Sequence, residues 1–276
     1  MAISDISLTA GMRNNLLALS NTSSLINTTQ QRLSTGKKVN TPLDNPTNFF
    51  ASQNALARAN DLSNRKDGMS EAVQMLNAAT AGIKGITSLI QSAQGVASSA
   101  LATSDTVERS AYSATYSTLL SQISQLASDS GYRGTNFLTN GSQTVEFGQR
   151  TGTATLQITG FNSTSSGLSL NSVSSSVWAG GSGTAAITSS SGELESALST
   201  LRTKSSALSS NLSVVTTRQD FTDTMINTLQ TGSDNLTLAD MNAEGANMLM
   251  LQTRQNLGIS SLSMASQAAQ AVLKLF

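Results

Sequence analysis

Cysteine and histidine are both absent from this 276-residue sequence. Without cysteine there is no disulfide and no thiolate chemistry, which is compatible with an extracellular protein that travels unfolded. Without histidine the usual general base near neutral pH and the commonest metal ligand are gone. Ser-His-Asp and Cys-His arrangements and histidine-dependent zinc motifs are therefore impossible. Charged residues are 12% and aromatics 4%, both low for a globular enzyme. The 16 basic and 16 acidic residues cancel, so there is no basic field for nucleic acid or an anionic membrane. No apolar run approaches the roughly 18–20 residues needed to cross a bilayer. Met1–Gln30 is polar and neutral, without a basic segment leading into an apolar one. A cleaved secretory signal is not expected, and departure from the cell would use another route.

What is present is hydroxyl. Serine and threonine exceed a quarter of the chain. Apolar residues at both ends recur at alternating steps of three and four. At the front, Leu16, Leu19, Ile26 and Leu33 share one line, with Ser23 and Gln30 in the gaps. At the back, Met248, Leu251, Leu262, Ala265, Ala269, Val272 and Phe276 share another, passing through Gln255 and Gly258. Heptad spacing places each set in a single stripe on one side of an α-helix. A helix with one narrow apolar stripe needs partner helices, so function is expected in what the two ends bind.

The only prolines, Pro42 and Pro46, bracket Thr41–Asn48, and the first helix is expected to end near Val39. Gly36 then falls in its last turn, where Lys37 and Lys38 suit the negative end of the dipole. Ala72, Leu76, Ala79, Ile83, Ile86, Ile90, Ala93 and Ala97 predict one long helix; Tyr112, Tyr116, Leu119, Ile123 and Leu126 predict another. A turn at Leu101–Thr106, with Asp105 as N-cap, would make these two antiparallel. Thr144–Phe147 and Thr155–Ile158 read as a β-hairpin. From Gly160 to Gly192 a small irregular or β-rich insertion exposed to solvent is expected, with little to bury except Phe161, Leu168, Leu170, Val173, Val177, Trp178 and Ile187, and with substitutions across Ser163–Ser190 tolerated. The longest seam follows: Leu194, Leu198, Leu201, Leu208, Leu212, Val215, Ile226 and Leu229, through Ser205, Gln219 and Thr222. Gly232-Ser233 is the expected break, with Asp234-Asn235 opening the next segment. Asp240 and Glu244 lie early in the terminal helix, where the dipole favours acid.

The fold class is thus mainly α: a long coiled-coil-like bundle with paired terminal segments and a small β-hairpin and loop-rich central insertion. The layout is nested. Residues 1–41 and 235–276 form the outermost helices, 42–135 and 192–234 the long-helix bundle, and 136–191 the insertion. The alternative is a single helical bundle with disordered ends. Ser34-Thr35-Gly36-Lys37 and Ser63-Asn64-Arg65-Lys66 match S-x-x-K, as chance provides in so serine-rich a chain. Gly181-Ser182-Gly183-Thr184-Ala185-Ala186 matches G-x-G-x-x-A. It follows Ser172–Ala179 rather than a strand and reads as a flexible loop. No catalytic, metal or cofactor site is expected.

Two terminal stretches carry a family resemblance. Arg32-Leu33-Ser34-Thr35-Gly36-Lys37-Lys38-Val39-Asn40 closely resembles the R-L-S-[ST]-G-x-[KR]-[IV]-N stretch of bacterial flagellins. Leu43-Asp44-Asn45-Pro46 occupies the place of the family's A-x-D-[DN], and Asn14–Leu19 that of N-x-x-x-L-x-x-L. Asp240–Glu244 resembles D-x-x-x-E. Gln252–Gly258 and Ala265–Leu273, with Gln267, resemble Q-x-x-x-Q-x-G and A-x-Q-x-x-x-x-[VI]-L. The likeness covers roughly the first 140 and last 85 residues.

The resemblance implies a structural subunit that polymerises into the flagellar filament, with itself as principal partner. The terminal segments would pair to line the filament core, the long helices would form the outer tube wall, and the insertion would decorate the surface. It also implies export through the flagellar type III apparatus, a chaperone on the C-terminal segment, and hook-associated junction and cap proteins. Polymerisation gives a home to terminal stripes that would otherwise be poorly ordered; burial contributes roughly 25 cal/mol per Å². A head-to-tail contact that does not close makes an open helical filament. A hook–filament junction protein of the same family is the alternative. Members detected by the Toll-like innate immune receptor carry L-Q-R-V-R-E-L-A, where this chain has Ile86-Thr87-Ser88-Leu89-Ile90-Gln91-Ser92-Ala93. Weak or no activation of that receptor is expected.

Overall fold

A computed structural model describes the backbone of residues 10–148 and 154–275, with side chains through residue 271. Among the described residues six helices and one hairpin follow in order: α1 (Ala10–Thr35), α2 (Pro46–Ala102), α3 (Thr106–Asp129), β1 (Ser142–Glu146), β2 (Thr155–Thr159), α4 (Ser175–Ala179), α5 (Gly183–Thr237) and α6 (Met241–Leu275). The chain divides into two compact units, Met1–Ala57 with Thr228–Phe276, and Arg58–Asn227.

Within residues 58–227 the expected α2 and α5 seams are used, whereas on α3 the buried line is Ser113, Tyr116, Leu120, Ile123 and Ala127, with the expected Tyr112, Leu119 and Leu126 only half-buried beside it. Ala72, Leu76, Ala79, Ile83, Ile86, Ile90, Ala93 and Ala97 are all buried on α2. They meet Tyr116, Leu120 and Ile123 of α3 and Leu194, Leu198, Leu201, Leu208 and Val215 of α5 in one apolar cluster. Asp105 caps α3, its carboxylate accepting from the N–H groups of Val107 and Glu108 at 2.7 and 3.3 Å. β1 and β2 pair antiparallel, with Val145 opposite Leu156, and Val145 and Ile158 turn inward.

Ion pairs are few among the described residues of so sparsely charged a chain. Lys66 meets Asp223 at 2.6 Å, joining α2 to α5. Arg65 reaches Glu146, joining α2 to β1, and Arg133 reaches Glu71. Arg109 ties three segments. Its Nε donates to the carbonyls of Ala100 and Thr103 at 3.2 and 2.8 Å, and a terminal nitrogen donates to Thr184 Oγ1 at 3.1 Å.

Four expectations are corrected. The first helix stops at Thr35, not near Val39, because Gly36 adopts φ +69° and its N–H closes on the Arg32 carbonyl at 2.8 Å. That left-handed residue is a helix terminator which a side chain would strain. Gly232-Ser233 does not interrupt α5, which continues to Thr237. Ser233 falls on the buried seam and shares a 2.8 Å hydrogen bond with Ser52 of α2, so packing outweighs the roughly 1 kcal/mol helix cost of the adjacent glycine. The next helix consequently starts after Asp240, not at Asp234-Asn235.

The other two corrections concern the middle. Gly181–Ala186 is no flexible loop: α5 opens at Gly183, which is buried against the Trp178 carbonyl with no room for a Cβ. The segment from Gly160 to Gly192 is not a solvent-exposed decoration throughout. Phe161, Leu168, Leu170, Trp178 and Ile187 enter the core, and Trp178 packs tilted against Tyr116 with ring centroids 5.1 Å apart. Ser163 is also fully buried and donates to the Leu138 carbonyl at 3.1 Å. Substitution there is not uniformly tolerated.

Candidate self-assembly site

Helices α1 and α6 run side by side in opposite directions. Asn15 Nδ2 donates to Ser261 Oγ at 3.4 Å, Leu19 rests on Gly258, and Arg32 meets Glu244 at 3.1 Å. Low residue numbers on one helix thus face high numbers on the other. Gly258 permits the approach, because a Cβ there would lie 3.1 Å from Leu19 Cγ and 3.2 Å from Cδ2.

The α6 side of the seam follows the expected line. Leu251 is buried, and Met248, Gln255, Gly258, Leu262, Ala265 and Ala269 are half-buried. The Val272 side chain and Phe276 lie outside the described residues. On α1 the seam is Met12, Asn15, Leu19, Thr22, Ile26, Thr29 and Leu33. Leu19, Ile26 and Leu33 sit where the spacing put them, but Thr22 and Thr29 fill the gaps in place of Ser23 and Gln30. Leu16 lies off this line and stays 51% exposed. The missed positions left a signal: Thr22 and Thr29 are seven residues apart, and each presents a methyl group while its hydroxyl can return to the helix backbone. Thr22 does so, donating to the Ala18 carbonyl at 2.8 Å.

Most of the motif residues at the base of the pair meet in one clasp. The Glu244 carboxylate is buried, one turn inside α6, and Arg32 supplies its counter-charge. The Asp240 side chain caps α6, accepting from the N–H groups of Asn242 and Ala243 at 2.9 and 3.2 Å. Lys38 N–H donates to the Thr237 carbonyl at 2.7 Å, and Ala239 N–H donates to the Gly36 carbonyl at 2.9 Å. These bonds join the end of α1 to the α5–α6 link. Asn40 Nδ2 closes on the Lys37 carbonyl at 3.1 Å. Asp44 Oδ2 accepts from Thr41 N–H, Asn40 N–H and Thr41 Oγ1 at 2.8, 2.9 and 3.1 Å. The Thr41 and Asn40 backbone bonds hold its carboxyl below the usual range, and Arg32 adds to that. Ser34 and Gln267 are exposed and lie outside this clasp.

The pair does not use all of its apolar surface. Leu16, Leu17 and Leu25 stand open on α1, and Leu249, Met250, Leu257, Ile259 and Met264 on α6. These are large apolar groups on two adjacent helices, beyond what a soluble pair scatters singly. Among the described residues no acidic, histidine or cysteine cluster could hold a metal, and no helix is long and apolar enough to cross a membrane.

An antiparallel terminal pair with one apolar face closed and another open, carried by a helical bundle, defines a self-associating structural subunit. Comparison with known proteins gives the family. The model of the bacterial flagellin N-terminal helical region matches residues 6–144. Over the full length of both chains, the sequence is 30% identical to flagellin FljO, 28% to FljM and 29% to FljK, all of Caulobacter vibrioides. The chain belongs to the bacterial flagellin family and is a structural subunit of the flagellar filament, an extracellular assembly built by self-polymerisation.

Proposed function

We propose that polymerisation proceeds through the α1–α6 pair, which lines the filament core and buries its open apolar faces against neighbouring copies. The observation that carries this reading is the row of exposed leucine, isoleucine and methionine side chains on helices whose other face is already closed. In the proposed layout residues 1–41 and 235–276 are the core, 42–135 and 192–234 the outer tube wall, and 136–191 the surface. The filament turns as a propeller for swimming. Full-length likeness to filament flagellins favours this over a hook–filament junction role. The chain acts as a structural molecule and not as an enzyme; a sequence without histidine or cysteine supports that.

The test is elongation of short filament seeds by purified subunit, followed by electron microscopy. Wild-type chain is expected to extend the seeds, and chain lacking Leu251–Phe276 is expected not to, while retaining the helical signal of residues 58–227. Filaments built from the truncated chain would contradict the reading.

Further partners belong to the same proposal. The chain leaves the cell unfolded through the flagellar type III export apparatus, escorted by a chaperone on its C-terminal segment, and assembles between hook-associated junction proteins and a cap. Ile86–Ala93 offers no arginine or glutamate to the Toll-like receptor. Purified monomer is expected to leave receptor reporter cells silent, and potent stimulation would refute this.

A further inference from the structure

All the sulfur in this chain is thioether: nine methionines and no cysteine. Their exposure divides by location. Met69 and Met75 are buried in the bundle core, and Met12 is buried on α1. Helix α6 alone carries four, Met241, Met248, Met250 and Met264. Met248 belongs to the seam with α1. Met250 is 50% exposed and Met264 62% exposed, with Leu257, 66% exposed, midway between them. The three are spaced by seven residues and therefore share one heptad position. Two residues beyond the seam residue Met248, that position lies roughly 200° around the helix. The stripe points away from α1.

We propose that Met250 and Met264 are an oxidation site that controls addition of the subunit to a filament end, with peroxide as the oxidant. This rests on the filament-core reading above. A sulfur lone pair attacks one peroxide oxygen; the S–O bond forms as the O–O bond breaks. The departing hydroxide takes the proton left on the transferred oxygen and leaves as water. Sulfur gives up two electrons and the peroxide accepts them. The product sulfoxide is a strong acceptor on a flexible side chain that was apolar. Its neighbours in the exposed row, Leu249, Leu257 and Ile259, offer no side-chain donor. Pressed against another copy, the sulfoxide oxygen loses water without replacement. The free subunit is therefore the vulnerable form, and the assembled filament shields its own sulfur.

The test uses full-length subunit and preformed filaments, each treated with hydrogen peroxide and mapped by peptide mass spectrometry. In the subunit, Met250 and Met264 are expected to oxidise at least about tenfold faster than buried Met69, as exposure dictates. In filaments that difference is expected to vanish. Oxidised subunit is expected to elongate untreated seeds roughly tenfold more slowly. Methionine sulfoxide reductases acting on both epimers are expected to restore it, and Met250→Leu/Met264→Leu, whatever its own starting rate, is expected to elongate equally fast with and without peroxide. The proposal is overturned by equal oxidation of these residues in subunit and filament, by undiminished elongation after oxidation, or by inactivation that the reductases do not reverse. If the double variant fails before treatment, the reductase arm decides. Failure of untreated wild type to elongate seeds would instead overturn the filament reading.

Discussion

Replacing Gly258 tests the closeness of the α1–α6 pair. A methyl group there would sit 3.1 Å from Leu19 Cγ, inside the roughly 3.5–4.0 Å optimum for carbon contacts. Gly258→Ala brings helix propensity worth about 1 kcal/mol, which offsets the crowding, so that variant should lie near wild type. Gly258→Leu adds three more carbons with nowhere to go except into Leu19 or outward against α1. Overpacking of this kind costs about 1–3 kcal/mol. At about 1.4 kcal/mol per tenfold, the critical concentration for polymerisation rises by roughly five- to 150-fold. Leu19 is only half-buried, so Leu19→Ala alone should cost about 1–2 kcal/mol, below the range for fully buried leucine. The double variant Leu19→Ala/Gly258→Leu moves the bulk from one helix to the other, and should recover about 1–2 kcal/mol relative to the sum of the single changes. Sedimentation of polymer against total subunit gives each critical concentration. Wild-type assembly by Gly258→Leu, or strict additivity in the double variant, would refute the reasoning.

Three further outcomes are expected. Among the described residues no group makes a well-formed hydrogen bond to the buried Tyr116 hydroxyl, Ser190 being its nearby polar neighbour. Burial pushes its pKa from 10.0 to about 12, Glu193 adding to the rise and nearby Ser190 opposing it. The unfolded chain loses this proton first, so the contribution is intact below pH 10 and fades as pH rises from 10 to about 12. Tyr116→Phe should remove that slope in denaturant titrations and leave the neutral-pH fold equal or about 1 kcal/mol more stable. Trp178→Ala should cost about 3–5 kcal/mol in thermal or urea unfolding, because the indole is fully buried against Tyr116. Asp44, with its lowered pKa, holds the 40–44 turn while ionised. Its contribution is present above the usual carboxyl value of 3.8 and fades as pH falls below it. Asp44→Asn should flatten the acid limb of filament disassembly measured by light scattering.

The long seams of α2 and α5 were readable because their buried positions keep heptad time and are mostly aliphatic; on α3 Ser113 and Tyr116 share the buried line, which runs through Leu120 and Ala127 rather than the expected Leu119 and Leu126. The α1 seam was harder because two of its buried positions are threonines, which a search for apolar residues passes over. The middle misled for a related reason. Serine and threonine suggest loop, yet in a helix they bond the carbonyl one turn back, as Thr188 does to Thr184 at 2.9 Å and Ser196 to Gly192 at 2.9 Å. Once those hydroxyls are satisfied locally, a few large groups such as Trp178 and Ile187 suffice to dock the segment. Helix ends depended on single events: a left-handed backbone at Gly36 and a buried hydroxyl pair at Ser52 and Ser233, neither of which periodicity encodes. The motif residues were legible by their order at the two ends, whereas their gathering into one clasp needed coordinates.

Asn15 and Ser261 stand 246 positions apart along the chain, and this separation imposes a timetable. Residues 58–227 are one uninterrupted stretch that can collapse as soon as it is available, whereas joining the extremities means closing nearly the entire polypeptide into a ring. That closure is entropically the most demanding event. A chain cut short between residue 227 and its last helix can therefore acquire a sound midsection and still lack the α1–α6 pair on which the proposed polymerisation depends.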